Sequence, residues 1–236
     1  MKGLLVRVGA DQSEGGGWWN GPVDSRTREF VYVPIPDDGP FHPGLATPYS
    51  VVAPHLTGKW PSLPAYLSTR DMHLDPDFEW LTYGDQGERA KQILKKVGHG
   101  DMLVFYAGLR DIHPAQRLVY GIIGVSIIED IVFTARVPKP RWRENAHTRR
   151  RVGYSASEIV VRSEPGASGR LAVMLPIGDY RNRAYRVEKS LLAAWGGLGV
   201  KDGYLQRSAR LPEFLDAPKF YRWFLGTGIR LVHRNN

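Results

Sequence analysis

Asp101-Met102-Leu103-Val104-Phe105-Tyr106-Ala107-Gly108, the turn Arg110-Asp111-Ile112-His113-Pro114, and the Ile-, Val- and Tyr-rich run from Arg117 to Val137 form the stretch on which the fold turns. Each run is apolar and β-branched over more than a strand's usual length, and the turn between them carries Pro and Asp, so the stretch reads as two core strands. Upstream, Leu4 to Val8 reads as a buried strand and Phe30-Val31-Tyr32-Val33-Pro34-Ile35-Pro36 as a second, closed by prolines that cannot continue a central ladder. A loop from Gly9 to Arg28 joins them. Residues 37–67 hold too much Pro, Gly and Ser for long regular structure and read as an ordered loop.

Between Asp85 and Val97, Ala90, Ile93, Leu94 and Val97 recur at helical spacing and Gly98 and Gly100 stop the pattern, which predicts a helix of about three turns. Downstream, Ile159 to Val161 and Leu171 to Leu175 are further strands, and Val187 to Trp195 and Pro218 to Leu225 are helices separated by a Gly-rich loop. No repeat or linker interrupts the chain. The expected fold is α+β: a mixed, partly barrel-like β-sheet core with flanking helices and long ordered loops, in one interwoven domain over residues 1–236.

The 236 residues, 42% hydrophobic and 24% charged, exclude global disorder. With no cysteine, disulfides, thiolate zinc sites and cysteine nucleophiles are excluded, and a cytoplasmic home is expected. The N-terminal apolar stretch is too brief for a signal peptide, and no apolar run approaches the roughly 20 residues that span a bilayer, so no membrane partner is expected. A formal charge of +8 invites a polyanion. Between Arg136 and Arg170 nine cations face only Glu144, Glu158 and Glu164, and eight of the nine are Arg, whose planar fork suits phosphate. The stretch from Arg141 to Arg170 is the expected polyanion face, with His147, Arg149, Arg150 and Arg170 as its binding residues.

Several segments can carry chemistry. His73, Asp75, Asp77 and Asp85 lie in a turn-prone acidic stretch that can assemble a metal or general-base site; the alternative is a solvated turn in which Asp85 caps the helix after it. No metal or cofactor is assigned. The Gly15-Gly16-Gly17-Trp18-Trp19-Asn20 loop lacks the spacing of a P-loop or a dinucleotide fingerprint, but Trp18 and Trp19 can stack a base and Asn20 can read its edge. Arg183 and Tyr185, in a run of alternating aromatics and arginines, suit phosphate contact and base stacking. The Gly-rich loop after Trp195 presents Asp202, Gln206 and Arg207 as groups that read base edges. No zinc-deaminase signature, HExxH or GxSxG occurs.

Leu4-Val6-Arg7-Val8-Gly9, His73-Leu74-Asp75-Pro76-Asp77-Phe78-Glu79, Thr82-Tyr83-Gly84-Asp85, Gly100 to Leu109, Trp195-Gly196-Gly197-Leu198 and Lys201-Asp202-Gly203-Tyr204 together resemble the third of the nucleotide-modification-associated domain families. The resemblance implies a role beside systems that make or process hypermodified bases in phage and bacterial DNA, phage defence included. It names no catalytic residue of its own. Separately, Tyr120-Gly121-Ile122-Ile123-Gly124-Val125 looks like part of the barrels that cradle modified bases in the pseudouridine-synthase-associated superfamily.

The functional expectation is a protein that binds or alters a modified base in nucleic acid, DNA before RNA, or in a free nucleotide. A non-catalytic reader of such bases and a metal-dependent nuclease built on Asp75, Asp77 and Asp85 are the alternatives; oligomeric state is left open. The Gly-Trp loop, the Tyr83-Gly84-Asp85 turn and the loop from Trp195 to Arg207 are expected to meet in one pocket, with Tyr83, Asp85 and Asp202 as its catalytic residues.

Overall fold

The computed structural model describes residues 1–115, 117–151, 157–205 and 210–236. Strand β1 (Gly3–Arg7) is followed by the two-residue β2 (Pro22–Val23), β3 (Ile35–Asp37), a short helix α1 (Ala65–Ser68), β4 (Asp71–His73), β5 (Thr82–Asp85) and helix α2 (Gly87–Lys96). The long strands β6 (Met102–Asp111) and β7 (Leu118–Phe133) come next, then the one-turn helix α3 (Ala146–Arg149), β8 (Ile159–Ser163) and β9 (Gly169–Pro176). A hairpin β10 (Gly178–Arg181) and β11 (Ala184–Val187), helices α4 (Lys189–Trp195) and α5 (Ala217–Gly226), and β12 (Leu231–Val232) complete the order.

The stretch that opens the sequence reading is the spine of the sheet. β6 and β7 pair antiparallel with a register shift between Phe105 and Tyr106, and β1 lies parallel to β6 on its other edge, Leu5 opposite Val104. At sixteen residues β7 outruns any one neighbour. Its first half pairs with β9 and its second half with β8, which carries β5 at the edge. The fold is therefore α+β with a mixed sheet of eight strands. The sheet does not close into a barrel: the ladder β1-β6-β7-β8-β5 carries register shifts in β7, and no hydrogen bonds join its ends among the described residues.

Period-two alternation decides what each face buries. Leu4, Val6, Leu103, Phe105 and Ala107 point into one core, closed by Ala90 and Ile93 of α2 and by the residues 30–81 that wrap this face. Leu5, Met102, Val104 and Tyr106 point into the other, closed by Trp195, Phe220 and Phe224 of α4 and α5. With both faces covered, β1 and β6 are nearly continuous apolar runs. α2 has Glu88 in its first turn and Lys95 and Lys96 in its last, as its dipole favours. α4 stops at Gly196 in the left-handed region, φ 79°.

Two expectations change. Of the segment 30–36 only Ile35 and Pro36 lie in a strand, β3; Val31, Tyr32 and Val33 are buried as an irregular wall that touches the sheet through single backbone bonds, Val31 N–H to Pro22 of β2 at 3.1 Å among them, and forms no continuous ladder with it. The Arg- and aromatic-rich run at 178–187 is the β10–β11 hairpin, turned by Asn182 and Arg183 at φ 51° and 60°.

Candidate functional site

A cleft of about 610 Å³ opens where β1 ends at Arg7-Val8-Gly9 and β5 leads into α2. One wall is the loop of Asp11, Ser13, Gly15 and Gly16; another is Ile35 to Asp38; the floor holds His73, Asp75, Tyr83, Gly84, Asp85 and His147.

Three of these residues arrive from two segments that are distant in the chain. His73 ends β4, which β3 holds by antiparallel pairing, and its Nδ1–H donates to Asp37 Oδ2 at 2.8 Å. Asp75 follows two residues later; its side chain is only 5% exposed, and it accepts from the Gly84 amide on both oxygens (2.9 and 3.1 Å) and from Asn145 Nδ2 at 3.0 Å. His147 sits in α3, whose cap Asn145 accepts from the His147 amide at 2.9 Å, and its Nδ1–H donates to Glu158 Oε1 at 2.6 Å. The free nitrogens then face one oxygen: Nε2 of His73 and Nε2 of His147 stand 4.0 and 3.8 Å from Asp75 Oδ2. The two rings meet edge to face at 4.7 Å.

Gly84 makes this approach possible. A Cβ at this position would lie 2.3 Å from His147 Cδ2 and 2.5 Å from Asn145 Oδ1. No larger residue lets β5 offer its amide to Asp75 while α3 packs against it.

The environment shifts these groups unequally. Burial pushes the Asp75 carboxyl up to about 7, against the pull of His147, the Gly84 amide and Asn145. Burial also lowers His73, more than Asp37 restores. For His147 burial works against the charged ring, yet the hydrogen bond with Glu158 and the nearness of Asp75 hold it above its ordinary value. Beside them, Tyr83 donates to Asp85 Oδ2, and Arg89 donates to the Tyr83 hydroxyl at 2.6 Å and pairs with Asp85 at 2.9 Å. Burial drives the Tyr83 phenol well above its ordinary range, so it remains a proton donor at neutral pH.

Of the residues expected to carry function, Tyr83, Asp85, His147 and Arg150 line this cleft together with the Gly-Trp loop's Gly15 and Gly16. Trp18 and Trp19 do not: Trp18 is 61% exposed outside it and Trp19 packs on the core. Asn20 is buried, donates to the Gly108 carbonyl at 2.7 Å and does not line the cleft. Asp202 lies in a separate depression of about 500 Å³ with Arg186, Tyr204 and Arg210, paired to Arg181 at 3.1 Å. Among the described residues the three loops therefore do not share one pocket: the first two meet, and Asp202 and Tyr204 of the third line the separate depression. Gln206 and Arg207 lie outside the described residues.

The expected arginine face is divided: Arg141, Arg143 and Arg151 are exposed, whereas Arg149 and Arg170 turn inward. Arg149 is buried on Asp77 at 2.6 Å, Arg162 pairs with buried Glu144 at 2.8 Å, and Arg170 is buried with its guanidinium over the Phe30 ring. Burial brings Arg170 down to about 10. Arg183 is exposed at the hairpin tip, while Tyr185 packs against Tyr120 at 4.5 Å. Asp77, grouped with His73 and Asp75 by sequence, faces away into its ion pair with Arg149. The sequence reading missed Asp37, Asn145 and Glu158 as partners of the site and assigned His147 to phosphate; only the His73-x-Asp75 pair was a local signal.

Fold and cleft together define an α+β protein with a polar centre built between a sheet edge and its covering loops. A family model described as nucleotide modification associated domain 3 matches residues 2–211, and the chain belongs to that family. Searches of curated proteins and of solved structures return no match to this chain. The family associates the protein with nucleotide modification. Among the described residues, no helix is long and apolar enough to cross a membrane.

Proposed function

We propose that the protein is an enzyme of nucleotide or DNA-base modification whose reaction centre is the cleft floored by His73, Asp75 and His147. The observation that carries this reading is their convergence from two distant segments, each side chain fixed by partners of its own, in a cavity large enough for a nucleoside. Orientation of this kind is what chemistry needs and stacking alone does not. Arg7 and Arg150 stand at the cleft wall, partly exposed, where a phosphate can meet them, and Tyr83 offers a proton within the same space.

The reading is tested by incubating the protein with deoxynucleotides and with oligonucleotides carrying unmodified or hydroxymethylated bases, then measuring the mass of the released nucleosides and the strand length. A new base mass that disappears in His147→Ala is the expected result. Unchanged binding without any new mass identifies a reader of modified bases, and shortened strands identify a nuclease; either overturns the proposal.

A further inference from the structure

We propose that His73, Asp75 and His147 are the protein ligands of a first-row divalent transition-metal ion. One donor atom from each lies within 4.8 Å of the other two. At 3.8 and 4.0 Å, the Asp75 oxygen is too far from either Nε2 for a hydrogen bond. Two bonds of about 2.0–2.2 Å to a shared ion at a tetrahedral angle set their donors roughly 3.3–3.6 Å apart, so the gap is too wide for a proton and needs to close by only a few tenths of an ångström around an ion.

The surrounding hydrogen bonds point the same way. Asp37 and Glu158 take the Nδ1–H of the two imidazoles, which fixes the tautomer and leaves each Nε2 lone pair aimed at the gap. Gly84 and Asn145 occupy Asp75 from behind, on Oδ1 above all, and leave Oδ2 facing both rings. A carboxylate and two imidazoles, His147 buried and His73 nearly so, held apart in this way are left short of a partner that a cation supplies.

Charge distribution adds an independent reason. In a protein of net charge +8, this cleft gathers Asp11, Asp37, Asp38, Asp75 and Asp85 against only Arg7, Arg89 and Arg150. A pocket made solely to grip phosphate has the opposite balance. Two imidazole nitrogens with one carboxylate oxygen select zinc, iron(II) or their neighbours over magnesium and calcium, which require oxygen donors. Three protein ligands leave positions open for water and substrate, so the ion would serve as Lewis acid or as carrier of an activated water.

The inference deepens the reading of the cleft as a reaction centre, but it is measured without substrate and so fails or stands separately. The tag-free full chain, stripped with chelator, is titrated with zinc or cobalt(II) by calorimetry, and the histidine ring nitrogens are followed by NMR. One equivalent is expected to bind, with two of the seven imidazoles shifting at Nε2, and affinity is expected to fall at least about 100-fold in His73→Ala and in Asp75→Asn. Asp202→Asn, in the other depression, should bind as the native protein does. Absence of binding, shifts at other histidines, or undiminished affinity in folded variants overturns the assignment. If a variant fails to fold, the ring-nitrogen shifts of the native chain decide the matter alone.

Discussion

The two depressions of this molecule are similar in volume and opposite in construction. The cleft at the end of β1 is floored by side chains almost withdrawn from solvent, Asp75 at 5% and His147 at 6% exposure, and each is held by at least one hydrogen bond from outside the trio. In the depression beside α4, Asp202 is 36% exposed and bound to two arginines of the neighbouring hairpin. Charges in water pair weakly and cost little to leave alone, whereas buried ones persist only where their surroundings compensate them. The first arrangement is a built site; the second is a solvated ion cluster that links the β10–β11 hairpin to the loop after α4.

That contrast can be broken most forcefully at Arg149, which the sequence offers as a phosphate ligand and the fold uses as the buried partner of Asp77. Arg149→Ala is expected to cost about 3–5 kcal/mol of stability, because it leaves Asp77 charged and unpaired. A denaturant midpoint close to that of the native protein, together with weakened nucleic-acid binding, would return Arg149 to the surface role.

Gly84→Ala acts inside the cleft. The added methyl group must displace His147 or Asn145, so about 1–3 kcal/mol is expected to be lost from stability or from metal binding, read by thermal melts with and without zinc. An unaltered melt in both conditions would show that the approach of β5 to α3 is looser than the contacts require.

Glu158→Gln sharpens the comparison further, since it keeps a hydrogen-bond acceptor for His147 but removes the charge. Metal affinity or turnover is expected to fall about 10–100-fold with little change in fold, measured by titration and circular dichroism. The smallest effect belongs to the other depression: Asp202→Asn should leave turnover and metal binding unchanged, and a loss of either would make the second region part of the site after all.

How much was legible in advance follows from the range of each signal. β6, β7, α2, α4 and α5 announce themselves through local periodicity and stop residues, and they stand where the sequence puts them, to within a few residues. The resemblance to the nucleotide-modification family rests on short contiguous motifs and is matched over residues 2–211. The register shifts of β7, where its pairing passes from β9 to β8, leave no trace in apolar patterning.

By itself, then, the sequence determines an α+β chain with two strands at its centre, without thiol chemistry, and places His73 and Asp75 two residues apart in an acidic turn. Only the tertiary structure decides that His147 joins them across some seventy positions, that Asp37 and Glu158 orient the rings, and that Asp77 and Arg149 leave for a pair of their own. The physical reason is that side-chain type sets what a residue can do, whereas burial and orientation set what it does. Both arise from packing between segments distant in the chain, and no local pattern records them.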